Sequence, residues 1–506
     1  MRDPSRKYRW LLLAMSLLTI GYLVAAAIRE NFLAEWYHLQ NDYRGILLSK
    51  ATDERGRAIA RDFRVELKQV SIPALKTVDR CVSCHNGIDD PRMTGVPLPH
   101  AVHPGDILKN HPADRFGCTV CHQGQGPATT FEDAKGIDAF WDYPLLDRNL
   151  VQASCFACHD VEKLPSSQVA LVLEGRKLYQ EKSCGSCHKL GGRGGSLGPA
   201  LDNEGAKTKH QLILTNLAPP HTTWNWQQVH FQDPGGIVPA SQMKNPALSA
   251  PQALALTVYM LAQRQRDVPE SYLAPDKLEE KVRRLHPQPL TGEQVYHQFC
   301  LACHGEGSYG RWDKTFRRFI PAIRGASLQV TAGRAYLEAQ IKLGRPGTQM
   351  PAWDRQAGGL LPEEINAVLD YLQPAAVRHG PASVTRALAI PPQGDPARGA
   401  ALFTSYCSGC HGPAGHRGVA PEIANPVFQQ AASDEFIVTT IRNGRRGTAM
   451  PSFQPQVQGA RALSDADLGD LLAFIRELAR PVKAPLAADA SGAAQRKTAG
   501  QGEEPR

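Results

Sequence analysis

The chain has 506 residues, 42% hydrophobic and 21% charged, which is enough apolar material for three or four domains and too much for a globally disordered chain. Its net charge of +8 is small for this length and scattered, which excludes a nucleic-acid-binding surface. The 44 glycines and 38 prolines point to many loops and small units.

The first predicted element is a membrane anchor. Trp10 to Ile28 reads WLLLAMSLLTIGYLVAAAI, 19 positions without a charge. At ~1.5 Å per residue this helix spans roughly 28 Å, close to the ~30 Å hydrocarbon core of a bilayer. Arg2, Arg6, Lys7 and Arg9 precede it, so the positive-inside rule puts residues 1–9 in the cytoplasm and the rest outside. A cleaved signal peptide ending at Ala25-Ala26-Ala27 is the alternative, but the run exceeds the usual ~7–15 residues, which favours a retained anchor over 10–28. Residues 29–79 read as a largely helical juxtamembrane segment. Phe32, Trp36, Leu39, Tyr43 and Ile46 recur at spacings of four and three, a seam that either docks on a membrane partner or packs on the domains that follow.

From Cys81 onward all twelve cysteines fall in six copies of C-x-x-C-H: Cys81/Cys84/His85, Cys118/Cys121/His122, Cys155/Cys158/His159, Cys184/Cys187/His188, Cys300/Cys303/His304 and Cys407/Cys410/His411. Two cysteines three apart lie about one helical turn from each other, so both thiols can reach the two vinyl groups on one porphyrin edge. The next residue then places its imidazole on the iron. This is the attachment signature of c-type haem. A zinc site needs four ligands and no histidine after each pair, and a thioredoxin-like dithiol normally occurs once. No thiol is left for a disulfide framework or a lone nucleophile. Six covalent haem c groups are predicted, and their attachment outside the cytoplasm agrees with the orientation of the anchor.

Three attachment sites lie between Cys81 and His159, too few residues to enclose three haems separately. Residues 80–165 are therefore expected to form a compact trihaem module with little regular structure. The other three sites each sit in a repeat. Gly175, Gly292 and Gly399 each precede an aromatic by four residues (Tyr179, Tyr296, Phe403), which puts both on one helix face. A proline with an apolar residue two on follows each site (Pro199/Leu201, Pro321/Ile323, Pro421/Ile423), then a methionine: Met243, Met350, Met450. IKLGRPGTQMPAW and IRNGRRGTAMPSF carry the last two. Each repeat closes with an amphipathic helix bearing Tyr259, Tyr371 or Phe474.

On these motifs residues 166–265, 290–374 and 392–481 each resemble a class I monohaem cytochrome c domain. The resemblance implies that the N-terminal helix crosses the C-terminal helix at the Gly and aromatic positions, that the proline segment borders the proximal histidine, and that the methionine sulfur is the distal ligand. Carried over by position, the pairs are His188/Met243, His304/Met350 and His411/Met450. In the first repeat Met243 is followed by Lys-Asn-Pro, and His210, His221 and His230 are rival ligands. Residues 29–160 resemble more loosely the trihaem part of membrane-anchored cytochromes that accompany bacterial bc-type quinol-oxidising complexes. The motifs are Asp79-Arg80-Cys81, His103-Pro104, His111-Pro112 and the stretch Phe116 to Gly126. This resemblance implies histidine as the second ligand, with His103 and His111 foremost and His100 third. No histidine lies between His122 and His159, and Lys135 stands where a distal histidine is expected. Lys135 ligates through a neutral amine, or His100 or His38 serves, or one iron stays five-coordinate.

The expected fold is mainly α: a transmembrane helix, the trihaem module, then three tandem cytochrome c domains joined by proline-rich connectors (268–290, 373–396) and ending in a disordered tail at 482–506. Methionine ligation raises a haem potential relative to bis-nitrogen ligation, so low-potential irons are expected near the membrane and higher ones beyond. Twelve added propionates make the net charge of the apo chain a poor guide to docking. The reading is a non-catalytic, single-pass protein of the bacterial inner membrane with its haem domains on the periplasmic side. It would carry electrons from a quinol-oxidising complex, with b-type cytochrome and iron–sulfur subunits, to periplasmic acceptors or a terminal oxidase or reductase. The cytochrome subunit of a membrane-bound dehydrogenase is the alternative, although an N-terminal trihaem module is unusual there. A multihaem enzyme converting nitrogen compounds or peroxide is less favoured, since most irons have ready second ligands and no C-x-x-C-K is present.

Overall fold

A computed structural model describes residues 5–137, 140–373, 394–454 and 462–478. The expected connector at 373–396 and the tail at 482–506 lie largely or wholly outside these residues. Helix α1 (Ser5–Phe32) contains the whole 10–28 run, and none of its residues is buried. Among the described residues it begins the one helical stretch long and apolar enough to cross a membrane.

Helix α2 (Glu35–Lys50) buries Trp36, Gln40, Tyr43 and Leu47, whereas Leu39 and Ile46 are half-buried and Phe32 is exposed. The expected seam is thus rotated to include a polar residue. Gln40 tolerates burial because its amide donates to the carbonyls of Glu66 (2.8 Å) and Ser83 (3.0 Å) and accepts from Glu66 N (2.9 Å). Tyr43 and Leu47 share a core with Ala60 and Met93, so the seam packs on the first haem-attachment segment. Helix α3 (Glu54–Asp62) is capped by Asp53, which accepts from Gly56 N at 2.7 Å. The helical expectation ends there. Pro73 blocks a helix, and the β-branched Val70, Ile72, Thr77 and Val78 favour extension. Strand β1 (Val70–Ile72) pairs antiparallel with β2 (Thr77–Asp79), Val70 opposite Asp79. From Cys81 to Lys163 helices are only three to eight residues long, as little regular structure predicts.

The chain divides into two compact units, one of residues up to 289 with 297–302, the other of 290–296 with 303 onward. In the first unit α4 (Ser166–Glu181) crosses the C-terminal helix of its repeat, with α5 (Thr223–Gln232) beside it. That partner is α6 (Ala250–Ala262), buried along most of its length. A Cβ on Gly175 would sit 2.1 Å from the carbonyl oxygen of Ala255, so only glycine lets the backbones meet.

In the second unit the same crossing occurs twice, between α7 (Gly292–Val295) and α10 (Pro362–Leu372), and between α11 (Pro396–Tyr406) and α14 (Asp465–Glu477). Helix α10 follows α8 (Ala326–Thr331) and α9 (Arg334–Leu343); α14 follows α12 (Pro426–Ala431) and α13 (Asp434–Asn443). The aromatic pairs predicted at the crossings stand at centroid distances of 5.9 Å (Tyr179/Tyr259), 5.5 Å (Tyr296/Tyr371) and 5.3 Å (Phe403/Phe474). The two repeats of the second unit also pack on each other. Gly310 N donates to Gly447 O (2.9 Å), Phe319 N to Val419 O (2.7 Å) and Asn425 Nδ2 to Pro346 O (3.0 Å).

Candidate haem sites

The attachment motifs fold largely as the spacing predicts. The first cysteine's carbonyl accepts from the histidine N–H at 2.9–3.0 Å in the motifs at 81, 118, 155, 184 and 407, one helical turn that puts both thiols and the imidazole on neighbouring positions. All twelve thiols are free of disulfides. Among the described residues no three Cys, His, Asp or Glu side chains gather as a metal-binding group, so the thiols are not collected as a zinc cluster would require.

In the three cytochrome domains the first cysteines, Cys184, Cys300 and Cys407, are half-buried. Burial pushes the first thiols of two of these domains up, Cys184 to about 12 and Cys407 to about 11. Cys187 and Cys303 are half-buried, and Cys410 is the one exposed cysteine of the twelve. The reason lies in the backbone. Each of these residues is held through its carbonyl by the loop that follows: Cys187 O accepts from Gly198 N, Cys303 O from Arg311 Nε and Cys410 O from Ala420 N, all at 2.9 Å. Those bonds fix the turn without requiring the thiol to be enclosed. Cys303 departs further, because Tyr296–Cys300 winds as a π-turn and Cys303 falls in the α-turn after it, Leu301–His304.

The imidazoles are aimed by a repeated device. Nδ1 of His85 faces the carbonyl of Pro99 at 3.1 Å, His188 that of Pro199 at 2.9 Å, His304 that of Pro321 at 3.3 Å and His411 that of Pro421 at 2.8 Å. A carbonyl can only accept, so Nδ1 carries the proton and Nε2 presents a lone pair, the tautomer an iron ligand needs. Burial holds His85, His122, His159, His188 and His411 below the ordinary histidine value, which keeps that lone pair free near neutrality. His159 is set differently, with its Nδ1 3.7 Å from Asp276 Oδ1.

The trihaem segment brings its sites together. The thiols of Cys81 and Cys118 are hydrogen-bonded to each other, and Ser154 Oγ donates to Cys121 O at 2.7 Å. Asp79, fully buried at the end of β2, accepts from Thr119 N (3.0 Å), Thr119 Oγ1 (2.6 Å) and Cys118 N. It thereby caps the second attachment turn from a position two residues before the first. The rings of His103 and His122 are 6.3 Å apart, and those of His111 and His159 5.8 Å. A metal–imidazole bond of about 2 Å plus the ring radius puts two axial imidazoles about 6 Å apart, so each pair fits one iron between them. Nδ1 of His103 meets Pro104 O (3.0 Å) and Nδ1 of His111 meets Ile107 O (3.2 Å), which leaves a lone pair on Nε2 of both.

The remaining candidates separate. His100 is buried beside Tyr43 with its Nδ1 unpartnered, and burial first and the neighbouring His85 second depress its basicity. Lys135 Nζ sits 2.6 Å from Glu132 Oε1 and over the Phe131 ring, while His38 is exposed.

The three methionines share one local turn. The backbone N–H of Met243, Met350 and Met450 donates to the hydroxyl two residues before it (Ser241, Thr348, Thr448), at 3.2 Å each time. Met243 therefore shares this bond with the other two despite its different flank. Of its rivals, His221 turns Nε2 to Leu217 O (3.0 Å) and His210 is exposed. His230 stacks on Trp226 with Nδ1 buried and unpartnered, and burial, then His188, pushes it down to about 4. In the first unit the arm carrying Cys300 also lies against the Cys184 turn. Ser183 Oγ donates to His297 O, Lys244 Nζ to Ala302 O (3.0 Å), and a Cβ on Gly185 would lie 3.0 Å from the Phe299 ring.

Parts of the chain are similar to known proteins. Residues 287–372 and 394–475 match the family described as cytochrome C oxidase, cbb3-type, subunit III, and residues 172–263 match cytochrome c. The chain is 31% identical over 170 residues to the cbb3-type cytochrome c oxidase subunit FixP of Bradyrhizobium sp. (strain ORS 278), covering 32% of this chain and 53% of that protein. It is 26% identical over 204 residues to the subunit CcoP of Azospirillum sp. (strain B510), covering 37% of this chain and 61% of that protein. The aligned parts thus span little more than half of these relatives. With three cytochrome c domains, each holding one haem-attachment motif, the chain is a multihaem c-type cytochrome with an N-terminal helix fit to anchor it in a membrane.

Proposed function

We propose that this chain is a membrane-anchored periplasmic hexahaem cytochrome that carries electrons from a quinol-oxidising bc-type complex of the inner membrane to periplasmic acceptors or a terminal oxidase. The observation that supports the reading is the recurrence of one local design: the attachment turn, with an imidazole held by a proline carbonyl at four motifs and a second imidazole beside it at the other two. Bound haem supplies one-electron exchange between ferric and ferrous iron. The protein's part is to hold each iron on two sides, which favours electron transfer over substrate chemistry. His85, His122, His159, His188, His304 and His411 are the proximal ligands. The distal ligands are Met243, Met350 and Met450 in the cytochrome domains, and His103 and His111 opposite His122 and His159. His100 and Lys135 are the candidates for the iron on His85. Bis-histidine irons near the membrane and methionine-ligated irons beyond it give an outward rise in potential.

A second reading, a subunit of a terminal oxidase, is favoured by the match of the last two domains to the cbb3-type subunit family. The dehydrogenase subunit is a further alternative. Purification in mild detergent separates the three. A b-type cytochrome and an iron–sulfur protein copurify under the leading reading; a haem–copper oxidase core copurifies under the second, and a flavin or quinoprotein under the third.

Met350→Leu and Met450→Leu are each expected to remove part of the sulfur-to-iron charge-transfer absorption and to lower one potential in a spectroelectrochemical titration. Unchanged spectra in both variants would mean that these methionines are not ligands.

A further inference from the structure

The last two cytochrome domains carry the same loop a hundred residues apart, and the two copies use it differently. Helices α9 and α13 end at Gly344 and Gly444, both with positive φ, and Arg345 N and Arg445 N then donate to Met350 O (2.8 Å) and Met450 O (3.1 Å). The backbones match, but the guanidinium groups do not go to equivalent places. Arg445 crosses to the second cytochrome domain, donating to Ser327 O (2.8 Å) and the Thr331 hydroxyl (2.5 Å), and within its own domain donates to the Thr440 hydroxyl (2.5 Å) over the Phe436 ring. Arg345 crosses to the third cytochrome domain, lies 5.5 Å from the Phe428 ring centroid and donates to the carbonyl of Glu422.

Glu422 follows Pro421, whose carbonyl holds His411 Nδ1 at 2.8 Å. The Glu422 carboxylate is turned away to His416 Nδ1 at 3.0 Å, so it does not form the contact with Arg345. Arg345 is half-buried, and it stays protonated at any physiological pH.

We propose that Arg345, carried by the second cytochrome domain, is a positioning residue for the haem of the third: it clamps the loop behind His411 and holds a fixed positive charge there that raises that haem's reduction potential. The proposal rests on His411 and Met450 ligating that iron. Reduction adds one electron and no atoms, and a nearby positive charge disfavours ferric iron, the more positive state. The Pro421 bond to His411 acts the other way by making the imidazole more basic. Charge prevails because the half-buried guanidinium donates to a neutral carbonyl, so that the Glu422 carboxylate offsets it only through space.

The test uses the full chain loaded with haem. Arg345→Gln should lower one high-potential component in a spectroelectrochemical titration by up to about tenfold in its ferrous-to-ferric ratio, about 59 mV for one electron. Arg345→Lys, which keeps the charge but not the fork, should shift the same component by less. Met450→His moves the third domain's haem out of the high-potential group and so marks it. In that background Arg345→Gln should leave the remaining high-potential components where Met450→His alone puts them. A shift that persists there, a shift upward, or no shift in either Arg345 variant overturns the proposal. A wrong ligand assignment is distinguished by Met450→His leaving the high-potential group intact.

Discussion

Gly399→Val is expected to destabilise the third cytochrome domain strongly. A Cβ at this position would stand 2.0 Å from the carbonyl oxygen of Asp470 and 2.9 Å from Phe474 Cβ. The first contact is with backbone, so no rotamer change relieves it and α11 must move away from α14. That separation breaks the Phe403/Phe474 contact and opens a core containing Leu468 and Leu471, both fully buried. Overpacking a well-filled core costs about 1–3 kcal/mol, and this contact belongs at or above the upper end. Domains of this size hold only about 5–15 kcal/mol in total, so the loss would be visible as a lower midpoint for one haem-linked transition. Gly235→Ala, where an added Cβ meets nothing within 4 Å, serves as the control and should melt as the parent does. An unchanged transition in Gly399→Val would mean that the two helices do not meet there.

His103→Ala and His111→Ala should each turn one low-spin iron into an open, five-coordinate one. The ring separations of 6.3 Å to His122 and 5.8 Å to His159 leave room for one metal and no intervening side chain. Removing either ring leaves a vacant axial position that no neighbouring methionine fills, since Met93 is fully buried in the core with Tyr43 and Leu47. Each variant should gain a high-spin signal and carbon monoxide binding worth one haem, and the double variant two. If carbon monoxide binds neither variant beyond the level of the parent chain, the pairing is wrong.

Much of this was readable in the sequence because it is local. The C-x-x-C-H turns, the Gly and aromatic positions and the methionine loops each depend on residues within a turn or two, so spacing alone carries them. What escaped was set by partners far along the chain. The buried face of α2 includes Gln40 because Glu66 and Ser83 satisfy its amide, and no periodicity in apolar residues can announce that. Asp79 was noticed only as part of a motif; its task appears once Thr119 is beside it, 40 positions on. The exposure of Cys410 against the half-burial of Cys187 and Cys303 likewise depends on the loops around three identical motifs. The pairing of His103 with His122 and of His111 with His159 crosses several loops. Arg345 and Arg445 stand in near-copies of one loop, and only the packing of two domains shows which groups of the other domain each guanidinium meets.

The cap formed by Asp79 carries a consequence for assembly. Residues 77–81 finish a strand, seal the turn at Cys118 and open the turn at Cys81, all within five consecutive positions. Injury there cannot stay private to one cofactor: a chain that loses the hairpin forfeits the scaffold of two neighbouring prosthetic groups together, and maturation intermediates lacking only one of them should be scarce.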